Sequence, residues 1–297
     1  MQEPEPGRTR PACLALDIGG SKLAAAVVDG TGAVRVGARV PTPRTDDPEV
    51  LFSAVADLLG RVLDEGRQTG LEPPLCGVGC GGPMGPGGEE VSPLNIPAWR
   101  GFPLRSRVEA LVGRPTAVDN DAKALALAEG WVGAGAGHDD YIAMVVSTGV
   151  GGGIVLDGRL LDGAAGNAGH IGHVVVVPSG ARCACGGRGC LEAEASGLAI
   201  ERATGRPAAE AGPEVVARVG MLVGRAVAGA ANLLDLGLAV VGGSVALGFG
   251  SPFFSAARRE VERRARLEFS RHTRIIPSAL GAHGGLIGAA AVAHTRL

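Results

Sequence analysis

Residues 13–28 read CLALDIGGSKLAAAVV, two apolar runs separated by the turn DIGGSK. The runs predict β-strands at 13–16 and 23–28, because short apolar segments bounded by glycine-rich turns are typical of buried strands. Glycine lets backbone amides approach phosphate oxygens, while a hydroxyl and an ammonium group add donors. The hairpin therefore offers a candidate phosphate turn, with candidate ligands at Asp17, Gly19, Gly20, Ser21 and Lys22.

The residues of this turn do not by themselves decide its function. The carboxylate of Asp17, at a strand end, could hold Mg²⁺ through water or orient a phosphate. A plain hairpin turn with a capping serine explains the same residues, since short glycine motifs are common.

Beyond this hairpin, strand-like apolar runs alternate with segments of helical periodicity. The alternation predicts an α/β fold with helices on the sheet faces. A second glycine-rich turn, STGVGGG at 147–153, resembles the first and predicts a duplicated fold with a nucleotide between its halves. The further predicted strands are 76–80, 116–118, 141–146 and 238–241, and the predicted helices are 50–66, 122–131, 215–234, 252–268 and 284–294.

Bulk composition excludes several classes of function. The 297 residues fit two domains, and the formal net charge of -2 gives no electrostatic reason to expect nucleic acid or an anionic membrane as a partner. We expect a cytoplasmic protein, because no apolar stretch resembles a signal peptide and charged residues interrupt the run at 14–28. In that reducing compartment, six cysteines argue against a disulfide framework.

The segment CACGGRGCLE at 183–192 follows HIGH at 170–173. One imidazole and three thiolates suit a tetrahedral structural Zn²⁺, and this spacing predicts His173, Cys183, Cys185 and Cys190 as its ligands. A redox pair and buried free thiols are the alternatives. The three other cysteines lie on apolar strands and are expected in the core: Cys13, Cys76 and Cys80.

Asp119-Asn120-Asp121 lies between a predicted strand and a predicted helix. A carboxylate at a helix N-terminus tends to stay ionised, and it could accept the proton of a sugar hydroxyl that attacks a γ-phosphate. Capping of the helix is the alternative explanation. The turn at Gly243 could border a nucleotide base, or it could be a tight turn alone.

These motifs, in their order along the chain, resemble those of the ROK family (repressors, open reading frames, kinases). The resemblance rests on the 17–22 turn, the Asn120-Asp121 pair, the 147–153 turn, GNAGHIGH at 166–173 and the cysteine cluster. It implies an actin-like (ribonuclease H-like) ATPase fold with two α/β domains and a nucleotide and sugar cleft. We assign residues 1–118 to the first domain, closed by the helix at 284–297, and residues 119–283 to the larger, zinc-binding domain.

The resemblance also implies an ATP-dependent sugar kinase that uses ATP, Mg²⁺ and Zn²⁺ and forms a homodimer. Asp121 would be the general base, and His173 would bridge zinc and sugar. The implied nucleotide-binding residues are Asp17, Gly19, Gly20, Ser21, Lys22, Thr148, Gly149 and Gly243. The implied sugar-binding residues are Gly82, Asn95, Asn120, Asp121, His170, His173 and Glu192. Ser21 stands where the family usually has Thr, a change that keeps the hydroxyl.

His170 is the main departure, because most glucose kinases of the family have Glu there and bacterial N-acetylmannosamine kinases have His. The sequence therefore predicts phosphorylation of the 6-hydroxyl of a hexose or N-acylhexosamine, with N-acetylmannosamine preferred and glucose or an amino-hexose as alternatives. A non-catalytic sugar sensor is the alternative of another class. Family repressors add a helix-turn-helix domain before the first turn, and only 16 residues precede Asp17 here.

Overall fold

A computed structural model describes residues 10–297 of the chain. These residues fall into two compact units. Unit 1 holds the described residues up to Val132, together with Gly163–Asn167 and Ala282–Leu297, and unit 2 holds Gly133–Asp162 and Ala168–Gly281. Among the described residues, no helix is both long and apolar enough to cross a membrane.

Unit 1 is built on a five-stranded mixed sheet with the order β3-β2-β1-β4-β5. The first three strands pair antiparallel, and β4 and β5 continue the sheet parallel to β1. The strands are β1 (Cys13–Ile18), β2 (Lys22–Val28), β3 (Val34–Pro41), β4 (Leu75–Cys80) and β5 (Thr116–Asn120), and the helices of this unit are α1 (Pro48–Gln68), α2 (Leu104–Val112), α3 (Asp121–Val132) and α8 (Gly284–Arg296).

Strand β1 is buried on both faces, which explains its unbroken apolar sequence. Leu14 and Leu16 join the core that contains α1 and α2, whereas Cys13 and Ala15 face the small residues of α8. A Cβ at Gly77 on β4 would lie 1.8 Å from the carbonyl oxygen of Ala289. Glycine is therefore required for α8 to approach the sheet.

Unit 2 repeats this sheet, with the order β10-β9-β6-β7-β8. Strands β6, β7 and β8 pair antiparallel, and β9 and β10 continue parallel to β6. The two sheets thus share one connection order, in keeping with the duplication predicted from the two glycine turns. The elements are β6 (Tyr141–Val146), β7 (Val150–Leu156), β8 (Arg159–Leu160), β9 (Leu238–Gly242), β10 (Arg274–Pro277), α4 (Leu191–Ala195), α5 (Gly197–Thr204), α6 (Pro213–Leu234) and α7 (Ser244–Arg264).

The observed division differs from the assigned boundary after residue 118. Residues 119–132 belong to unit 1, because β5 extends through Asn120 and α3 packs on α8. The C-terminal residues Ala282–Leu297 belong to unit 1.

Two local predictions also need correction. The turn predicted at 147–153 spans only 147–149, since residues 150–153 already pair with β6. The helix predicted at 252–268 begins at Ser244, is interrupted at Gly250 where φ is 58°, and ends at Arg264. The sequence analysis did not predict the following elements: β3, β7, β8, β10, α2, α4 and α5.

Candidate active site and metal centre

The glycine turn of unit 1, residues 17–22, is fixed by its own backbone and by Thr42. Gly19 N donates to the carbonyl of Lys22 at 3.0 Å, and Thr42 Oγ1 donates to the carbonyl of Gly19 at 2.6 Å. The side chain of Asn95 lies against the turn, because a Cβ at Gly20 would come within 2.9 Å of Asn95 Nδ2. The turn is thus a closed hairpin with a polar side chain packed against Gly20.

Asn95 also borders the loop that follows β4. A Cβ at Gly81 would lie 3.2 Å from Asn95 Oδ1, and the carbonyl of Gly82 accepts a hydrogen bond from Leu94 N at 3.2 Å. The predicted sugar-loop residues Gly82 and Asn95 therefore belong to one loop cluster beside Gly20.

Asp17 is a half-buried carboxylate next to a second one. Its pKa is raised to about 6, first by desolvation and then by the nearby charge of Asp121, while Lys22 acts in the opposite direction. A Cβ at Gly79 would lie within 4 Å of both Asp17 Oδ1 and the Cα of Asp121. Two acids therefore converge at the carboxyl ends of β1 and β5.

Asn120 caps α3, as the capping alternative proposed. Its Oδ1 accepts from the amides of Ala122 at 3.0 Å and Lys123 at 3.3 Å. Capping uses the oxygen and fixes the side chain, which leaves the Nδ2 amide as its donor group. Asp121, the first residue of α3, accepts from Ala122 N through Oδ1 at 2.8 Å.

Asp119 has a structural role in a buried ion-pair network. Its Oδ1 lies 3.2 Å from Lys123 Nζ and its Oδ2 lies 2.8 Å from Arg296 Nη2. Lys123, whose side chain is 1% exposed, also donates to the carbonyl of Gly166 at 3.0 Å. The network thus ties together β5, α3, α8 and the 163–167 segment. Sequence reasoning missed it, although Lys123 is one of only two lysines in the chain.

In unit 2 the turn at 147–149 is held from two elements. The carbonyl of Ser147 accepts from Gly197 N at 2.7 Å, and Ser147 Oγ lies 2.9 Å from Ser244 Oγ. Gly243 has φ of 95°, and a Cβ there would lie 2.3 Å from the carbonyl oxygen of Val146. Gly243 is therefore packed against the strand that leads into this turn.

Glu192 reaches the same turn from α4. Its Oε2 accepts from Val150 N at 2.9 Å, and a Cβ at Gly149 would lie 2.8 Å from that oxygen. One carboxylate oxygen is thus committed to the backbone beside Thr148 and Gly149. The other oxygen is the one a ligand would use.

His173, Cys183, Cys185 and Cys190 form a compact donor cluster whose ligand atoms all lie within 4.8 Å of one another. Cys183 Sγ is 3.6 Å from His173 Nδ1, and Cys185 Sγ is 3.7 Å from Cys190 Sγ. Tetrahedral Zn²⁺ with Zn–S bonds of about 2.3 Å and a Zn–N bond of about 2.0 Å gives about 3.5 Å for N···S and about 3.8 Å for S···S. The donor set and its spacing fit zinc.

The segment 174–190, hereafter the zinc loop, is a hairpin that brings these donors together. Val176 N donates to the carbonyl of Gly189 at 2.8 Å, and Cys183 N donates to the carbonyl of Gly187 at 2.9 Å. Gly189 has φ of 68°, and a Cβ there would lie 1.6 Å from the carbonyl oxygen of Val177. Glycine is therefore required just before the last cysteine.

The thiols of the cluster differ in acidity. Burial raises the pKa of Cys190 to about 12, whereas a hydrogen bond from the backbone of Gly187 lowers that of Cys185. Because zinc binds thiolates, binding would release protons from the more buried thiols. The rings of His170 and His173 stack with centroids 6.1 Å apart, so His170 is adjacent to the cluster.

The sequence profile of the ROK family matches residues 13–296. The chain belongs to the ROK family.

Curated relatives of this ROK chain have two names. An N-acetylmannosamine kinase of Escherichia fergusonii is 37% identical over 252 residues, covering 80% of this chain and 84% of the relative. A glucokinase of Streptomyces coelicolor is 40% identical over 189 residues, covering 64% of this chain but only 57% of the relative.

Among solved structures, a ROK family glucokinase from Streptomyces griseus in complex with glucose and AMPPNP is 31% identical. The match covers 96% of this chain and 99% of that chain with a TM-score of 0.83. This similarity confirms the predicted fold class, the actin-like ATPase fold of ROK kinases with two α/β domains.

The predicted site residues of this ROK chain form two groups. Within unit 1, the structure brings together Asp17, the glycine turn, Asn95, Asn120 and Asp121. Within unit 2, it brings together Thr148, Gly149, Gly243, Glu192 and the four candidate zinc donors, with His170 beside them. The three strand cysteines are fully buried, as expected of core residues: Cys13, Cys76 and Cys80.

Proposed function

We propose that this ROK chain transfers the γ-phosphate of ATP to the 6-hydroxyl of a hexose or N-acylhexosamine. The observation that carries the proposal is the pairing of Asp121, at the first residue of α3, with Asp17 beside the glycine turn. Phosphoryl transfer to a hydroxyl requires a base close to the groups that bind the phosphate, and Asp121 lies close to Asp17 and the glycine turn.

ATP would be bound through the two glycine turns. Amides of the 19–22 turn and the hydroxyl and ammonium groups of Ser21 and Lys22 supply donors for phosphate oxygens. In unit 2, the amides at Thr148 and Gly149 would do the same, with Gly243 bordering the base.

Mg²⁺ fits the acidic end of the unit 1 sheet. The two carboxylates converge, and the pKa of Asp17 is raised first by desolvation and then by the charge of Asp121, so a dication would stabilise this oxygen site. Asp17 would hold the ion, directly or through water. When bound, Mg²⁺ supplies neutralisation of phosphate charge.

Asp121 would act as the general base. As the sugar 6-hydroxyl attacks the γ-phosphorus, its proton passes to the carboxylate and the bond from phosphorus to the bridging oxygen breaks, which releases ADP. Asn120 supports this step because its oxygen caps α3, so its amide can donate to a sugar hydroxyl from a fixed position.

The zinc loop would present the sugar ligands of unit 2. His173 faces the thiols through Nδ1, so Nε2 is the nitrogen that can reach a sugar hydroxyl. Glu192 has one oxygen committed to Val150 N and the other available for a hydroxyl donor. Zinc, when bound, supplies structural order to this loop.

The preferred sugar follows from His170. Glu at that position accepts from two ring hydroxyls, whereas neutral imidazole offers one donor and one acceptor. An N-acyl group at C2 replaces a hydroxyl donor with a carbonyl acceptor, which an imidazole N–H can satisfy. We therefore propose N-acetylmannosamine or another 2-acylamino hexose as the preferred substrate, with glucose and amino-hexoses as alternatives. The homodimer and the cytoplasmic location stay predictions.

The test is a coupled ADP-release assay with glucose, N-acetylmannosamine, N-acetylglucosamine, mannose, allose and an amino-glucose. The expected result is sugar-dependent ADP release, greatest with a 2-acylamino sugar. Sugar binding without ADP release would instead support the sugar-sensing alternative. ADP release greatest with glucose would keep the kinase and reject the substrate preference.

A further inference from the structure

Short helix α4 carries two carboxylates, and only Glu192 belongs to the proposed sugar site. We propose that Glu194 is a positioning residue that anchors the zinc loop, and that Arg218 on α6 holds Glu194 in place. The inference rests on the proposed function for its effect on sugar binding, and on the donor cluster alone for its effect on zinc.

The first support is the geometry of the Glu194 carboxylate. Its Oε1 accepts from Ala181 N at 2.7 Å, and its Oε2 accepts from Arg218 Nη2 at 2.5 Å. The Glu194 side chain is only 7% exposed, so it is desolvated and held by two charge-assisted hydrogen bonds. This arrangement fixes the carboxylate as a bridge from α6 to the zinc loop.

The bridge meets the zinc loop next to its first metal donor. Ala181 lies two residues before Cys183, and the carbonyl of Ala181 accepts from Gly189 N at 2.9 Å, next to Cys190. A Cβ at Gly180 would lie 2.1 Å from Glu194 Oε1, so the loop wraps closely around the carboxylate. One anchor therefore restrains both ends of the cysteine hairpin.

The loop has little other packing near this point. Cys185 and its neighbours Gly186 and Gly187 are exposed, whereas Leu191 and Ala195 of α4 are fully buried. Glu194 thus restrains the exposed zinc loop by connecting it to a buried helix. Residues that orient metal ligands in this way typically affect metal affinity or activity by about 10- to 100-fold.

Loss of the Glu194 anchor is expected to leave the turn at 147–149 unchanged, although Glu192 on the same helix contacts that turn. Glu192 binds Val150 N independently of Glu194, so loss of the Glu194 anchor leaves that contact in place. We expect loosening of the zinc loop to weaken sugar binding through His173 and to change the chemical step little. The kinetic signature is a raised KM for sugar with a nearly constant kcat.

The experiment compares Glu194→Gln and Arg218→Ala with the parent and with Glu214→Gln, an exposed residue in the first turn of α6 that serves as the matched control. Zinc content is measured first, followed by the rate of zinc transfer to a chromogenic chelator without sugar or ATP. We expect release about 10- to 100-fold faster for Glu194→Gln, several-fold faster for Arg218→Ala, and parental for Glu214→Gln.

Release from Glu194→Gln within twofold of the parent would overturn the proposal. If that variant does not fold, the rate of zinc release from Arg218→Ala decides the test. Arg218 is 48% exposed, so its truncation should be tolerated. A parent that neither carries nor takes up zinc overturns the proposal as well. Faster zinc release from Glu194→Gln than from the parent, together with a parent that shows no kinase activity, upholds the anchor and rejects the proposed function.

Discussion

Glu192 Oε2 accepts a hydrogen bond from the backbone amide of Val150 at 2.9 Å. Val150 follows the 147–149 turn, and Glu192 lies two residues after the metal donor Cys190. A proposed phosphate turn and a proposed zinc ligand are therefore connected through one short helix.

The first prediction is one Zn²⁺ per chain, bound by His173 and the three clustered cysteines with no open coordination position. The four donors are spaced for a closed tetrahedral structural site. Metal analysis of purified protein is the measurement, and Cys185→Ser should lower the zinc content. Cys76→Ser, a buried cysteine outside the cluster, is the control for thiol loss. A zinc-free and fully active protein would contradict the assignment.

The second prediction concerns the base. Asp121→Asn should keep the fold and lose about a hundred- to ten-thousand-fold in kcat, because an amide cannot accept the hydroxyl proton. The measurement is ADP release at saturating sugar, with circular dichroism to verify folding. Asp46→Asn, an exposed residue of the same unit, should match the parent. Activity of Asp121→Asn within a few-fold of the parent would assign the base elsewhere.

The third prediction concerns His170. His170→Glu should lower the ratio of kcat/KM for N-acetylmannosamine to that for glucose by about tenfold or more, because carboxylate acceptors favour ring hydroxyls over an acyl carbonyl. Both efficiencies are measured in the parent and the variant. A parent that favours glucose, with a ratio that the substitution leaves unchanged, would refute this role.

The fourth prediction follows from the raised pKa of Asp17, about 6 against an ordinary 3.8. Between these values the folded state binds more protons than the unfolded state, so the free energy of unfolding falls as pH rises through this window and levels off above it. Asp17→Asn removes the effect. Its stability advantage over the ligand-free parent should be about 2 kcal/mol larger at about pH 8 than at about pH 4.5.

Urea unfolding at the two pH values measures this difference. Asp46→Asn should show no such pH-dependent advantage. An Asp17→Asn advantage that is constant with pH would mean that Asp17 titrates normally in the folded protein.

The fifth prediction is a stability contrast between two glycines of unit 1. Gly77→Ala should lower the free energy of unfolding by about 2 to 4 kcal/mol, because its Cβ would lie 1.8 Å from the Ala289 carbonyl and must displace α8. Gly60→Ala, at an open and exposed position inside α1, should raise it by about 0.5 to 1 kcal/mol. Chemical denaturation measures both, and equal effects would contradict this packing.

Much of the fold and of the candidate site could be predicted from local pattern. The hairpin at 13–28, the buried strand at 141–146 and the long helix ending at Leu234 were predicted because apolar periodicity reports burial directly. The clustering of His173 with the three cysteines could be predicted because three of the four residues lie within eight positions. Strand β3 was missed because it is half exposed at the sheet edge and lacks a long apolar run.

The residue types beside each turn and at each strand end could be read from the sequence, since those features depend on neighbours in the chain. The distant groups that meet became known from the packed fold. Asp119 pairs with Arg296, 177 positions away, and Glu194 joins Ala181 to Arg218. Such contacts arise when separate elements pack together, and neither periodicity nor spacing encodes the partner. The candidate base and the candidate metal donors can be recognised in the sequence, whereas the residues that hold them in place depend on how the elements pack.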